Sequence, residues 1–520
     1  MSLGRAPAQE DLYNSTRAAC EARLSETSLY RLLARESHRL FADEHFADLF
    51  TQVGRDSVPP RIVAVVMALQ RFNGLSDREA ADAFAFDMRW KYAAGALDFD
   101  HPGFVHTVLV DMRERLRRSE RPNRIFDAVL EVAKAAGLVG RKRVLDSTAL
   151  YDAVATQDTV TLIRSALRGL LRVADEALCA QLRAQLKRDD DYVSAGKPAC
   201  DWDDKAQREA VVDALAKDGY AALLVLDGHK LQAEVKQAAE LLATVLGQDL
   251  ETTEDKKFRI ARGVAQDRVI STVDPEARHG HKTAARGFDG YKGHISIDPD
   301  SEIIVETRVT AGNVGDAQPA AAMLEELLSS GDSEDQEPAE IYGDSSYGTA
   351  ELVEHIESAL AVANVKVQPP SAKAGMFSQD AFAIDSETQT VRCPAGVLVQ
   401  LRRQKDGSGV AEFGASCATC PMRNQCTNSP SGRTVRTHPQ HKTLSRVRTH
   451  QRDAKWKAHY RAVRPKVERK IAHLMRRKHG GRRARVRGRL RVAQDFSLLA
   501  AAVNLARLAA IGVTLCNAAA

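Results

Sequence analysis

The chain has 520 residues, more than a single hydrophobic core usually supports, so we expect roughly two to four domains. Its 44% hydrophobic and 28% charged residues are typical of a globular protein and exclude a largely disordered chain. The net charge is only +5, but residues 441–492 contain 20 Lys and Arg against two acidic residues. That segment therefore carries about +18, which indicates a polyanionic partner, nucleic acid first.

The N-terminal part of the chain is predicted to be helical. We expect residues 1–23 to be flexible and residues 24–135 to form an all-α domain. Ser76 and Glu79 have the spacing of a capping box, which opens a helix after the apolar helix Arg61–Phe72. The helical pair is compatible with DNA binding, although most such pairs are scaffolding. The N-terminus lacks the apolar core of a signal peptide, which favours the cytoplasm.

The middle of the chain alternates between strand and helix patterns. A short strand is predicted at Arg143–Leu150, and residues 151–264 are predicted to be a helical insertion. Predicted strands then follow in quick succession: Arg268–Asp274, Gly293–Asp298, Glu302–Thr310, Glu340–Ser345 and Ala363–Val367. Helices Ala317–Ser329 and Thr349–Leu360 separate the later strands. This order predicts a mixed α/β sheet, with residues 140–150 and 265–375 forming its core.

Two aspartates stand where predicted strands end. Asp146 is followed by Ser147 and Thr148, and Asp344 is followed by Ser345. Carboxylates from neighbouring strands can hold divalent metal ions for phosphodiester displacement. An aspartate at a strand end, taken alone, is more often a turn former.

Four cysteines are grouped in residues 376–432: Cys393, Cys417, Cys420 and Cys426. Four thiolates can form a closed tetrahedral zinc site, and the Cys417–Cys420 spacing is a usual half-site. The spacing from Cys420 to Cys426 is less standard. Structural zinc and free thiols both remain open from the sequence.

Residues 433–520 are predicted to form a basic helix followed by an apolar closing helix. Glu468 is the only acidic residue between Asp453 and Asp495, and it follows Tyr460 and Arg464 at helical spacing. It is either a surface ion-pair partner or a carboxylate directed towards a metal site. The apolar stretch Ser497–Cys516 contains Asn504 and Arg507, so we predict a buried helix and no membrane span.

Taken together, these motifs resemble the bacterial insertion-sequence transposases of the DDE class, named for a catalytic Asp, Asp and Glu. The matching pieces are Val144–Thr148, Asp274–Arg278, Gly290–His294, Thr310–Asp316, Tyr342–Gly348, the helix carrying Tyr460, Arg464 and Glu468, and Asn504–Leu508. The region Gly74–Glu79 also resembles the helical domain that precedes the catalytic domain in that family. In related proteins a basic residue often follows the glutamate by seven positions, whereas this chain has Met475.

The resemblance implies a ribonuclease-H-like mixed sheet flanked by helices, in which Asp146, Asp344 and Glu468 are catalytic. They would hold two Mg²⁺ (or Mn²⁺) ions, and the cysteine-bearing insert would be structural. The implied partner is double-stranded DNA, transposon ends and target, bound by a homodimer or higher oligomer near the bacterial nucleoid. Candidate DNA contacts are Lys282, Lys292, His294, Arg461, Arg464 and Arg469. The alternatives are a catalytically inactive DNA-binding derivative and a ribonuclease-H-like nuclease with another substrate.

Overall fold

The computed structural model describes residues 2, 15–51, 53–152, 156–283, 285–329 and 337–514, and it has a mixed α/β architecture. The α-helices in these ranges are α1 Ser15–Arg23, α2 Leu29–Leu40, α3 Pro60–Asn73, α4 Asp77–Phe86, α5 Met88–Ala93, α6 Thr107–Arg118, α7 Arg124–Ala135, α8 Thr159–Val173, α9 Glu176–Gln185, α10 Lys205–Leu226, α11 Ala233–Asp249, α12 Ala320–Ser329, α13 Ala350–Ser358, α14 His441–His450, α15 Ala454–Val463, α16 Pro465–Leu474 and α17 Arg489–Ile511. The strands are β1 Lys142–Tyr151, β2 Leu250–Thr252, β3 Phe258–Ile260, β4 Arg278–Thr283, β5 Arg286–Ile297, β6 Ile304–Ala311, β7 Glu340–Gly343, β8 Val362–Val365, β9 Ala383–Asp385, β10 Thr390–Arg392, β11 Leu398–Gln400, β12 Arg402–Arg403, β13 Gly409–Glu412 and β14 Thr434–Thr437.

Helices α1–α7 form the N-terminal part. Helix α3 is buried along most of its length and packs against α17, which places it at the centre of this part of the core. The predicted capping box is confirmed: the Ser76 hydroxyl accepts from the Glu79 amide at 3.3 Å, and the Glu79 carboxylate accepts from the Ser76 amide at 2.7 Å. Of the segment expected to be flexible, Ser15–Arg23 is helical and buries Cys20; residues 1 and 3–14 lie outside the described residues.

The central sheet has six strands. β1 pairs antiparallel with β5 and parallel with β7, and β7 pairs parallel with β8. Both β4 and β6 pair antiparallel with the opposite edge of β5. Helices α8–α11 and the β2–β3 hairpin separate β1 from β4 in the chain and enclose a hydrophobic core of their own. A helical segment therefore does interrupt the sheet, as the sequence pattern predicts.

The prediction of a strand at Arg268–Asp274 is wrong. In this range only Val269 takes part in β pairing, as an isolated bridge. The Val269 amide donates to the Gln248 side chain at 2.8 Å, and the Gln248 side chain donates to the Val269 carbonyl at 2.9 Å. Side chains thus satisfy backbone groups that a ladder would otherwise pair. The neighbouring β4 was not predicted, because its sequence Arg-His-Gly-His-Lys-Thr lacks the apolar alternation that marks a half-buried strand.

The closing helix α17 is longer than predicted, beginning at Arg489, and its prediction as a buried helix is confirmed. It is the one described helix long and apolar enough to cross a membrane, but 72% of its apolar window is buried inside the protein. Asn504 donates to the Ile304 carbonyl at 2.7 Å and accepts from the Ile304 amide at 2.9 Å. This polar pairing fixes α17 on β6. Cys516, within the predicted range, lies outside the described residues.

Candidate active site

Asp146 lies on β1 at the point where its parallel neighbour ends. β1 continues to Tyr151 because β5 pairs with it throughout, so Asp146 is inside the strand and not at its end as expected. The β1–β7 ladder pairs Val144 with Tyr342, and two more steps along both strands lead to Asp146 and Asp344. Asp344, directly after the end of β7, therefore corresponds in position to Asp146 on the adjacent parallel strand β1.

Helix α15 is fastened to the ends of β7 and β8 by two aromatic side chains. The Trp456 indole donates to the Asn364 side chain at 3.0 Å, and the Tyr460 hydroxyl donates to the Gly343 carbonyl at 3.0 Å. Gly343 directly precedes Asp344, so Tyr460 ties the helix to the strand end that carries the second aspartate. The rings of Trp456 and Tyr460 stack at 4.8 Å.

Arg464 joins α15 to α16 and keeps helical dihedrals, so the Tyr460–Arg464–Glu468 face continues towards β1. Pro465 occupies the first position of α16, where its missing amide proton costs little. The flanks of α16 are tied to the β5–β6 turn, because Lys466 pairs with Asp300 at 3.3 Å and Arg469 pairs with Glu302. These contacts hold α16 beside this turn.

The Arg464 guanidinium lies among all three predicted carboxylates. One nitrogen is 3.1 Å from Asp146 and 3.7 Å from Asp344, and the other is 3.7 Å from Glu468. The three side chains differ in exposure: 14% for Asp146, 42% for Asp344 and 66% for Glu468. The structure thus brings the three predicted residues together around one cation, although Asp344 follows Asp146 by 198 positions and Glu468 follows Asp344 by 124 positions in the chain.

Burial dominates the electrostatics of this cluster. Burial raises the pKa of Asp146 from 3.8 to about 6, although Arg464 opposes the shift. Burial also disfavours the charge on Arg464, but Asp146, Tyr460 and the other carboxylates outweigh it and raise the arginine pKa. The arrangement has three carboxylates and one cation, so with all four ionised it is net negative and favours an additional positive ion.

Lys292 and His294 lie on the opposite face of the sheet from Asp146. Lys292 donates to Asp316 at 2.9 Å, and Asp316 also accepts from the Ser147 hydroxyl at 2.8 Å. His294 has no exposed surface and bonds Thr310 at 2.9 Å; burial lowers its pKa to about 4. Neither residue is brought to the carboxylates, and a buried neutral His294 offers no phosphate contact in this conformation.

The glycines of the Gly290–His294 motif allow close packing. A Cβ at Gly293 would lie 2.8 Å from the Phe496 ring of α17, and one at Gly290, whose φ is +139°, would lie 2.3 Å from the Leu150 carbonyl oxygen. This motif therefore supports the sheet that carries Asp146. Of the other predicted DNA contacts, Lys282 and Arg461 are exposed, whereas Arg469 is engaged by Glu302.

Tyr347 and Asp316 border the site but were not singled out as site residues. Tyr347 is 1% exposed, its hydroxyl has no hydrogen-bond partner among the described residues, and it packs beneath Gly343. Burial is the largest cause that raises the pKa of Tyr347, and the negative charges of Asp316, Asp146 and Asp344 raise it further. Both residues stand in motifs noted in the sequence, but only the folded protein shows that the charges of Asp316, Asp146 and Asp344 all act on Tyr347.

The four grouped cysteines line one cavity of about 20 Å³ in the β9–β14 region, together with Phe377, Phe382 and Phe413. The Arg433 amide donates to the Cys417 sulphur at 3.4 Å. Burial raises the pKa of the Cys426 thiol, opposed by Arg433 and reinforced by the other three cysteines. The cavity is large enough for one small ion or water. Within the described ranges, however, no three His, Cys, Asp or Glu side chains are grouped so as to hold a metal, here or around Arg464.

Comparison with known protein families gives two matches. Residues 392–509 match the family described as Transposase DDE domain, and residues 18–115 match the family described as Transposase domain (DUF772). The first match contains the cysteine cluster, Arg464 and Glu468, but not Asp146 or Asp344. No curated protein and no solved structure matched the chain. The two matches, in the order expected for such proteins, support a DNA transposase of the insertion-sequence DDE class and imply DNA as a partner.

Proposed function

We propose that this transposase excises and integrates an insertion sequence using Asp146, Asp344 and Glu468 as its catalytic carboxylates. The observation that carries the proposal is their convergence on the Arg464 guanidinium, with distances of 3.1, 3.7 and 3.7 Å. Carboxylates from two adjacent strands and a late helix that share one cation form an oxygen donor set of the kind Mg²⁺ and Mn²⁺ favour.

The strand order supports a ribonuclease-H-like catalytic domain. Three strands, β6, β5 and β1, are successively antiparallel, and β7 and β8 then continue in parallel with β1. In this topology β1 and β7 are inner strands of the sheet, so Asp146 and Asp344 lie beside each other there. Helices α15 and α16 pack next to the same two strands. We assign the two-metal reaction of DDE enzymes to this position.

By their chemistry, the carboxylate oxygens of Asp146, Asp344 and Glu468 suit divalent ions, and the three side chains would hold a pair of such ions once they regroup in place of Arg464. Such ions, when bound, activate the attacking oxygen and stabilise the leaving oxygen of a phosphodiester. Arg464 competes for the same carboxylate oxygens, because its buried guanidinium lies among them. Tyr460 keeps the helix in place throughout, because its hydroxyl is bonded to the strand backbone and not to the carboxylates.

The proposal also covers a metal site in the cysteine-bearing insert, the oligomeric state and the place of action. We propose a structural zinc held by Cys393, Cys417, Cys420 and Cys426, a homodimer or larger assembly that joins two transposon ends, and action at the bacterial chromosome in the cytoplasm. Neither the inactive DNA-binding protein nor the unrelated nuclease is favoured by the family matches.

The test is strand cleavage and joining on DNA that carries the inverted repeats flanking the coding region. Asp344→Asn and Glu468→Gln are expected to reduce Mg²⁺-dependent cleavage by about 10³-fold or more, equivalent to several kcal/mol of lost charge stabilisation, without reducing DNA binding. The matched controls Asp82→Asn and Glu351→Gln lie at exposed helix positions outside the carboxylate cluster and should cleave normally. Normal cleavage by either site variant would refute the assignment.

A further inference from the structure

Residues 476–491, which run from just after α16 into the first turn of α17, form the most densely charged segment of the chain. We call it the arginine strap. It contains no Asp or Glu and carries nine cations: Arg476, Arg477, Lys478, Arg482, Arg483, Arg485, Arg487, Arg489 and Arg491. Among the described residues, only Arg489 forms an ion pair, with Glu276 at 3.8 Å. The catalytic carboxylates do not account for this charge.

The backbone of the strap follows a fixed path between two parts of the protein. The Tyr151 amide donates to the Arg482 carbonyl at 2.9 Å, and the Ala484 amide donates to the Tyr151 carbonyl at 2.8 Å. On the other side, Arg71 bonds the His479 carbonyl, and a Cβ at Gly74 would lie 2.4 Å from the Lys478 carbonyl oxygen. The strap thus joins the end of β1 to the α3–α4 turn.

The anchors and the charges of the strap face in different directions. His479, Gly481 and Ala484 are buried, whereas Arg482, Arg483 and Arg487 are exposed. A cationic surface that is already ordered by backbone hydrogen bonds loses little conformational entropy when it binds a polyanion. The strap is therefore suited to receive a stiff ligand such as a DNA duplex.

A cavity of about 470 Å³ adjoins the strap, between α3, α4, α6 and α17. Cations outnumber acids in its lining, which includes Arg71, Arg113, Arg117, Arg485 and Arg491 against Asp77, Glu114 and Asp495. The Ser497 hydroxyl also lines it, is buried and has no hydrogen-bond partner among the described residues. Arg71, Arg113 and Arg117 pair with the three acids, so Arg485 and Arg491 are the lining cations without an ion pair among the described residues, and an anion in this cavity would face them.

We propose that the arginine strap and the adjoining cavity form a second DNA-binding surface, which holds the phosphate backbone of the duplex that flanks the cleavage site. The proposal rests on the proposed transposase reaction. The strap meets β1 at Tyr151, five residues beyond Asp146, or roughly 17 Å along the strand. At 3.4 Å per base pair, this distance corresponds to about five base pairs of flanking duplex. Contacts of this kind hold the DNA in register without reading its sequence.

The test measures binding of the full-length protein to a random-sequence 30-base-pair duplex by fluorescence anisotropy, without divalent metal, over a series of KCl concentrations. The strap variant carries Arg482→Gln, Arg483→Gln and Arg487→Gln. We expect its affinity to fall by tenfold or more at 100 mM KCl. The slope of log affinity against log salt should become shallower by about 2.7, because three phosphate contacts are lost.

The control variant carries Lys230→Gln, Lys256→Gln and Arg262→Gln, which remove the same charge from exposed positions of the helical insertion. It should keep the wild-type slope. Equal slopes for the two variants, or a wild-type protein that does not bind the duplex, would overturn the proposal. Cleavage is read separately: an active Asp344→Asn variant would refute the catalytic assignment and leave the strap result standing.

Discussion

Replacing Asp146 with asparagine is expected to stabilise the metal-free protein, although it removes a proposed catalytic group. Burial raises the pKa of this carboxyl from 3.8 to about 6, so its ionised form is less favourable in the folded protein than in the unfolded chain. The difference between these two pKa values corresponds to about 3 kcal/mol. The asparagine side chain would be neutral at every pH and would be free of this penalty.

The pH dependence gives the sign of the effect. Below about pH 3.8 the carboxyl is protonated in both states, so the substitution should change the free energy of unfolding little. The penalty develops as pH rises towards 6 and is complete above it, so Asp146→Asn should gain about 3 kcal/mol at pH 8. A functional site that lowers stability in this way is common where charge is buried for catalysis.

Urea unfolding followed by circular dichroism at pH 4 and pH 8, in EDTA, measures the difference. Asp316→Asn is the control, because Asp316 bonds Lys292 and Ser147 and its loss should destabilise the protein by about 1–3 kcal/mol. Opposite signs for two neighbouring Asp→Asn changes are therefore expected. An Asp146→Asn protein that is less stable than wild type at pH 8 would refute the reasoning.

Three further predictions concern the same residues and the cysteines. Arg464→Gln should raise Mn²⁺ affinity in the absence of DNA by about tenfold or more, because it removes a cation from between the carboxylates. Titration followed by electron paramagnetic resonance measures this affinity, and an unchanged value would contradict the prediction. In wild-type protein the same titration should show Mn²⁺ affinity falling as pH drops below about 6, where Asp146 takes up a proton, and a flat profile would argue against Asp146 as a ligand. Cys417→Ser should lower the zinc content measured by mass spectrometry and destabilise the β9–β14 region, whereas a wild-type protein purified without zinc would favour free thiols.

The sequence predicts the local features of this protein better than the tertiary contacts between them. The capping box at Ser76 and the strand around Asp146 follow from short-range patterns. The sequence also places Tyr460, Arg464 and Glu468 on one helical face, because that periodicity survives the junction at Pro465. The position of Arg464 among the carboxylates depends on β1, β7 and α16 coming together, which no local pattern encodes.

The features that the sequence did not reveal have a common physical origin. Lys292 and His294 flank a glycine of a recognisable motif, yet the two-residue alternation of β5 directs them to the face opposite Asp146. Their face is determined by the register of β5 against β1, which the sequence does not reveal. The strand predicted at 268–274 failed for a related reason, since the Gln248 side chain replaced the expected ladder partner.

The most direct test of the three-carboxylate site is metal-directed cleavage of the protein itself. Fe²⁺ bound in place of Mg²⁺, with ascorbate and peroxide, generates radicals that cut the backbone beside the ion. We expect cuts near Asp146, Asp344 and Glu468 together, suppressed by excess Mg²⁺ and weakened in Asp344→Asn. Cuts confined to other parts of the chain, or cuts near only one of the three residues, would contradict the three-carboxylate site.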